Sequence, residues 1–133
     1  MTTDQKQFLK DLSERYDLTK DDFFKHPTQA WVIITRIGID KIQAKANIEV
    51  DFSINDYNFD KGSIIIQAYG KMGDKRMQSF GEASPDNYKT KANVSRYPIA
   101  IAEKRALSRV VLKLVGAYAQ GIYSEDESDD FKN

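Results

Sequence analysis

The sequence predicts an α+β fold: an antiparallel β-sheet of about four to five hairpin-rich strands, with helices packed on one face. Three observations indicate this fold. Apolar residues repeat at helical spacing near the N-terminus, alternate with polar residues in the middle of the chain, and return to helical spacing after Pro98. The order is therefore an N-terminal helix, a run of strands, and a long basic C-terminal helix.

The first helix is predicted over residues 4–16, where apolar residues recur three and four positions apart. These residues are Phe8, Leu9, Leu12 and Tyr16. An apolar, β-branched run at 31–35 then predicts a strand. Gly38 is interpreted as a bend between this strand and the next.

Three further strands are predicted in the middle of the chain. Residues 48–55 alternate between apolar and polar side chains, which is typical of a strand with one solvated face. Residues 63–71 and 75–83 are joined by a short link that contains Gly73, which predicts a hairpin.

The C-terminal helix is the best-defined element. Pro98 suits its first turn, where a missing N–H costs nothing, and Gly116 suits its end. Its predicted buried face consists of Ile99, Ala106, Leu107, Val110, Val111 and Leu114. Ala102 is small enough to allow a backbone or a phosphate to approach closely.

A basic stripe runs along this helix. Arg105, Arg109 and Lys113 recur every four residues, so they share one side of the helix. The bland interpretation is that these charges only solvate the helix.

Length and composition predict one domain over residues 1–123, followed by a flexible acidic tail over 124–133. The chain of 133 residues has no cysteine, which fits a reducing compartment. We find no apolar run long enough to span a bilayer and no secretory signal. These features predict a cytoplasmic protein with no membrane association.

The formal net charge of zero conceals three blocks. Residues 1–60 carry a net −3, residues 61–113 a net +7, and residues 114–133 a net −4. A basic block next to an acidic end is a recognised indication of polyanion binding.

The residue types argue against an enzyme. His26 is the single histidine, so no histidine-based triad or multi-histidine zinc site can form. Neither a phosphate-binding P-loop nor a dinucleotide fingerprint is present. We therefore predict a non-catalytic protein without a cofactor or metal. A small nuclease, with carboxylates assembled from Asp40, Glu49 or Asp51, stays open as an alternative.

Single strands are usually held by a basic groove with aromatic rings on which bases stack. Residues 69–113 contain both features. The predicted contact residues are Lys71, Lys75, Arg76, Tyr88, Lys89, Lys91, Arg96, Tyr97, Lys104, Arg105, Arg109 and Lys113. Tyr69 and Phe80 are also interleaved with these cations, although the alternative is that both pack beneath the sheet.

The segments 81–84 and 97–106, together with Arg109, Lys113 and Gly116, resemble a pattern of phage single-stranded DNA-binding proteins. Residues 38–42 and the acidic end at 123–131 fit the same pattern, so the resemblance covers about residues 30–131. In element order the chain is similar to the single-strand annealing recombination mediators. The resemblance implies single-stranded DNA binding in phage replication or recombination, with annealing of complementary strands as an extension. It implies DNA contacts by Lys104, Arg105, Arg109 and Lys113 of the C-terminal helix. It also implies contacts by the hairpin cations Lys71, Lys75 and Arg76, and assembly of several copies into a homo-oligomer.

The acidic tail is expected to recruit replication or recombination proteins, or to occupy the basic groove when no strand is bound. The residues assigned to it are Glu125, Asp126, Glu127, Asp129, Asp130 and Phe131.

Three other possibilities stay open from the sequence. RNA could replace DNA as the ligand, and the strands could close into an OB-type barrel. The chain could instead be a protein-interaction module, such as an inhibitor of a host factor, that binds no nucleic acid.

Overall fold

The computed structural model describes residues 2–25, 27–28, 31–58, 60–84 and 98–127. Their helices and strands are α1 (Thr3–Tyr16), β1 (Phe23–Lys25), β2 (Val32–Ile34), α2 (Arg36–Lys45), β3 (Glu49–Asn58), β4 (Ser63–Met72), β5 (Lys75–Ala83), α3 (Pro98–Leu114) and β6 (Ile122–Ser124). Single 3₁₀ turns occur at Lys20–Asp22, Tyr118–Gln120 and Glu125–Glu127. The predicted α+β class, with a helix at each end packed on the sheet, is confirmed. Among these described helices, none is both long and apolar enough to cross a bilayer.

The described strands form two three-stranded sheets where the sequence predicted one larger sheet. Strands β3, β4 and β5 make an antiparallel meander, and the predicted hairpin turns at Gly73, which has a φ of 61°. In the second sheet β2 lies between β1 and β6 and pairs with β6 in parallel. These described strands stay open at their edges, so they do not form the barrel that was considered as an alternative.

Helix α3 is the central element of the core. It packs on β4 and β5 on one side and contacts α2 and β6 on the other. Consequently Val110, Val111, Leu112 and Leu114 are all at most 1% exposed, although they point in different directions. The buried face predicted for this helix is confirmed except at Ile99. This residue lies in the first turn of the helix and is 43% exposed.

The backbone of α3 rests directly on the backbone of β5. A Cβ atom on Gly81 would lie 2.0 Å from the carbonyl oxygen of Ala102 and 2.4 Å from the amide nitrogen of Ala106. No side chain fits between the two elements here, so glycine on the strand and alanine on the helix are both required. The close approach expected at Ala102 is therefore made by Gly81.

Helix α2 was not predicted from the sequence. The hydroxyl of Thr35 accepts a hydrogen bond from the amide of Gly38 at 3.1 Å and caps the helix, while Ile39 and Ile42 are fully buried. The interpretation of Gly38 as a bend is wrong. It lies in the first turn of α2, where a Cβ atom would lie 2.7 Å from the Ile34 side chain.

We predict that Gly81→Ala reduces the free energy of unfolding by about 3 kcal/mol or more, because its methyl group would meet helix backbone that cannot rotate away. Gly70→Ala is the matched control on β4. Its Cβ would lie 2.9 Å from side-chain methyls of Val110 and Leu114, which can shift, so we expect a loss of about 1 kcal/mol.

Denaturant unfolding followed by the fluorescence of the single tryptophan, Trp31, measures both variants. Equal unfolding midpoints for Gly81→Ala and the wild-type protein would contradict the close approach of α3 and β5.

Candidate nucleic-acid interface

Within the described residues, α3 packs against one face of the sheet β3–β4–β5 and the other face is open. On β4 the side chains alternate accordingly: Ile64, Ile66 and Ala68 are buried, whereas Ile65 and Tyr69 are exposed. We call the side of this sheet that carries Ile65 and Tyr69 the open face.

Two aromatic rings stand on the open face. The side chain of Tyr69 is 45% exposed and that of Phe80 is 44% exposed. Tyr69 lies directly opposite Gln78, two residues before Phe80, so the two rings are diagonal neighbours with Cα atoms about 7–8 Å apart. The alternative that both rings pack beneath the sheet is therefore wrong.

Amide side chains fill the surface between the rings. The Nδ2 atom of Asn55 donates to Oε1 of Gln67 at 3.1 Å, and Nε2 of Gln67 donates to Oε1 of Gln78. This row of hydrogen-bonded amides crosses all three strands and lies beside both rings.

Charged residues occupy one end of the open face. The register places Glu49 of β3, Lys71 of β4 and Arg76 of β5 side by side, with Asp51 next to Tyr69. Together with neighbouring residues they line a shallow cavity of about 470 Å³. None of these four charged groups forms an ion pair with another described residue.

The basic stripe of α3 follows the free edge of β5. Lys113 donates to the carbonyl of Gln78 at 3.4 Å, Arg109 to that of Phe80 at 2.8 Å, and Arg105 to that of Glu82 at 2.9 Å. We call these three residues of α3 the edge cations.

The spacing of the edge cations along α3 matches the spacing of the carbonyls along β5, because the helix and the strand have similar repeats. Four residues of helix rise about 6.0 Å, and two residues of strand rise about 6.8 Å. Side chains at every fourth helix position therefore meet every second carbonyl of the strand. These contacts cover an edge that would otherwise be open to pairing with another chain.

Arg109 reaches around the edge of β5 to the rim of the open face. Its Nη1 and Nη2 atoms donate to the carboxylate of Glu82 at 2.8 and 3.2 Å, and its Nε donates to Glu127. Burial alone would raise the pKa of Glu82, but the hydrogen bonds and charge of Arg109 outweigh burial and hold that pKa below its usual 4.5. Burial would likewise lower the pKa of Arg109, and the two carboxylates overcome it and raise that pKa.

The start of the acidic segment is held in place. Ser124, the first residue assigned to the flexible tail, is buried as the last residue of β6. Glu125 accepts a hydrogen bond from the backbone amide of Arg36 at the start of α2, and Asp126 accepts one from the hydroxyl of Ser108 at 2.8 Å. The predicted tail residues Asp129, Asp130 and Phe131 lie outside the described residues.

The other predicted contact residues are dispersed. Lys104 is exposed on α3, whereas Lys75 points away from the open face and its Nζ donates to the carbonyl of Leu114 at 2.8 Å. Five predicted contacts lie outside the described residues: Tyr88, Lys89, Lys91, Arg96 and Tyr97.

Tyr69 and Phe80 were left out of the predicted contact set, although the sequence contained a signal for them. On β5 the small residues Ser79, Gly81 and Ala83 alternate with the larger Gln78, Phe80 and Glu82. A helix can approach closely only on the side of the small residues, so Phe80 must point to the opposite side. Because Tyr69 pairs with Gln78, it shares that side.

Carboxylates of the described chain form no metal cluster: among these residues, no group of three or more His, Asp or Glu could hold a metal ion. Of the residues considered for a nuclease, Glu49 and Asp51 lie on the open face and Asp40 lies on α2.

We predict that Arg109→Ala lowers the free energy of unfolding by about 1–2 kcal/mol at pH 7, because Glu82 and Glu127 lose a charged donor at a partly solvated rim. Since the pKa of Glu82 is lowered by folding, its ion pair stabilises fully above about pH 4.5 and is lost as the pH falls through the folded value. The difference between wild type and variant should therefore shrink on acidification.

Chemical denaturation of both proteins between pH 7 and pH 3 measures this difference. Arg109→Lys is the matched control, since it keeps the charge but not the planar fork, and it should recover part of the loss. A difference that stays constant over this pH range would rule out a contribution from the Glu82 pair.

A search of protein-family models and of curated proteins finds no match to this chain. The resemblance to phage single-stranded DNA-binding proteins therefore stays a prediction from sequence motifs.

Proposed function

We propose that this chain is a non-catalytic protein that binds single-stranded DNA across the open face of the sheet β3–β4–β5. The observation that carries the proposal is the exposure of Tyr69 and Phe80 on the open face, beside cations that belong to β4, β5 and α3. Base stacking on such rings is a common way of holding single strands.

Stacking explains why a single strand fits this surface better than a duplex. An exposed ring offers a flat apolar face, and an unpaired base gains roughly 1–3 kcal/mol by lying on it. The bases of a duplex are already stacked on one another, so they cannot use Tyr69 and Phe80 without first unpairing.

The phosphates have a path along one side of the open face. Lys71 and Arg76 form no ion pair with a described residue, and Lys113 uses one of its three ammonium protons on Gln78. Lys71 and Arg76 lie one row beyond Tyr69 and Gln78 at the end of the sheet, and Lys113 lies at the adjoining edge of β5. A DNA backbone along this end and edge would leave its bases over Tyr69 and Phe80.

The proposal extends to the wider role that the sequence motifs imply. We propose that the protein is cytoplasmic, needs no cofactor and acts in phage-type replication or recombination. We further propose that it anneals complementary strands and that its acidic tail recruits partner proteins. RNA is the alternative ligand.

A second candidate function, protein interaction, is favoured by the other face of β3. Phe52 and Ile54 are 40% and 60% exposed there, and the contacts of α3 with this sheet are mainly with β4 and β5. Strand β3 is also the edge of the sheet that the edge cations leave uncovered. We expect a second copy of this chain to cover this apolar row, which supports the predicted homo-oligomer.

We predict that Tyr69→Ala and Phe80→Ala each weaken binding of a mixed-sequence 15-nucleotide single strand by about 5- to 150-fold, the equivalent of one lost stacked base. Fluorescence anisotropy with a labelled oligonucleotide measures the affinity. Phe24→Ala is the matched control, since Phe24 is 56% exposed on β1, in the other sheet, and its removal should change nothing.

The same titration at several salt concentrations separates ion pairing from stacking. Each phosphate contact should contribute about −0.7 to the slope of log affinity against log salt, which gives about −2 for three contacts. Equal affinity for duplex and single strand, or ring variants that bind like the wild type, would refute the open face as the DNA site.

For the second candidate, we predict that Phe52→Lys combined with Ile54→Lys converts an oligomer into a monomer without loss of stability, because both side chains are already exposed. Analytical ultracentrifugation measures the mass, and Phe24→Lys is the control. A wild-type protein that stays monomeric at high concentration would show that no second copy covers β3.

A further inference from the structure

Charge is divided across the end of the open face where Glu49, Lys71 and Arg76 lie side by side, whereas at the other end Glu82 of β5 is paired with Arg109. The carboxylates of Glu49 and Asp51 stand on β3, at one side of the Tyr69 ring. Lys71 and Arg76 stand on β4 and β5, and the edge cations lie beyond them. A strand whose phosphates follow the edge cations along β5 would extend its bases across β4 toward β3.

The register fixes which groups a stacked base would meet. Asp51 is directly opposite Tyr69, and Glu49 is directly opposite Lys71 in the adjoining row. Residues opposite one another in such a pair have Cβ atoms about 4.5–5.5 Å apart. A base lying on Tyr69 therefore brings its hydrogen-bonding edge within reach of both carboxylates, in the cavity of about 470 Å³ that they line with Tyr69 and Arg76.

A carboxylate at this position distinguishes bases by their chemistry. It can only accept hydrogen bonds, so it favours the amino groups of cytosine, adenine and guanine. Thymine and uracil carry a carbonyl oxygen where cytosine has its amino group, so their single edge donor, N3–H, is flanked by two acceptors that repel a carboxylate. Glu49 and Asp51 have no ion pair with a described residue that would occupy their oxygens.

We propose that Glu49 and Asp51 select the base that stacks on Tyr69 and require it to carry an exocyclic amino group. This inference rests on the proposed function, since it needs a strand on the open face. It gives the protein a base preference in addition to general affinity for single strands.

Two homopolymers of equal charge and ring size test the inference, (dC)₁₂ and (dT)₁₂, titrated against the full chain at pH 7.5. The wild-type protein should bind (dC)₁₂ about tenfold more tightly, the effect of one good hydrogen-bonded contact. Glu49→Gln combined with Asp51→Asn should abolish most of this ratio, because an amide donates to a carbonyl as readily as it accepts from an amino group. Both side chains are exposed, so the variant should keep its fold.

The ratio of the two affinities separates base selection from simple charge repulsion. Asp74→Asn is the matched control: this residue lies in the exposed turn between β4 and β5, and its change should strengthen binding of both homopolymers equally. If Glu49→Gln with Asp51→Asn also strengthens both equally and leaves the ratio unchanged, the carboxylates only repel phosphates and the inference is overturned.

The remaining outcomes distinguish the two proposals. Equal wild-type affinity for both homopolymers, or tighter binding of (dT)₁₂, overturns the base preference while the single-strand function stands. Failure of both homopolymers and of the mixed-sequence strand to bind overturns the function, and the base preference with it.

Discussion

The contact of α3 with β5 at Gly81 determines the rest of the molecule. Because a Cβ atom there would lie 2.0 Å from a helix carbonyl, the two backbones touch and the strand must direct its small residues toward the helix. Its large residues then point the other way. The same contact brings the helix near enough for Lys113, Arg109 and Arg105 to reach carbonyls on the free edge of β5. Exposed rings and nearby cations are therefore two consequences of one packing constraint.

The cations divide into structural and available groups. Arg109 donates to one carbonyl and two carboxylates, so most of its five N–H groups are used within the fold. Lys71 and Arg76 are balanced by Glu49 and Asp51 on the same face. In the proposed complex with single-stranded DNA, this near balance of charge weakens phosphate attraction, so we expect stacking on Tyr69 and Phe80 to contribute more to the affinity.

Local patterns in the sequence predicted α1, α3 and the strands β3 to β5, because α1, α3 and β3 have a clear period and a short glycine-containing link joins β4 to β5. Strands β1, β2 and β6 have three residues each, and β2 pairs with β6 across nearly ninety residues, so no local pattern could reveal their sheet. The four-residue spacing of the edge cations was visible. Spacing alone cannot tell whether a cation contacts a phosphate or a backbone carbonyl. The carbonyls on one edge of a strand repeat about every 6.8 Å, which is close to the rise of four helix residues, so they match the spacing of the edge cations.

The width of a helix explains why β3 differs from its neighbours. A helix is about 10 Å across and strands lie about 4.8 Å apart, so one helix covers two strands and a third lies outside its reach. Helix α2 partly compensates where it leads into β3, and the exposure of the apolar row rises from 5% at Ile48 to 40% at Phe52 and 60% at Ile54. Strand β3 thus carries carboxylates on the open face and bare apolar side chains on the other. A single uncovered strand therefore carries both proposed contacts: its carboxylates face the proposed DNA site, and its apolar side chains face the proposed second copy.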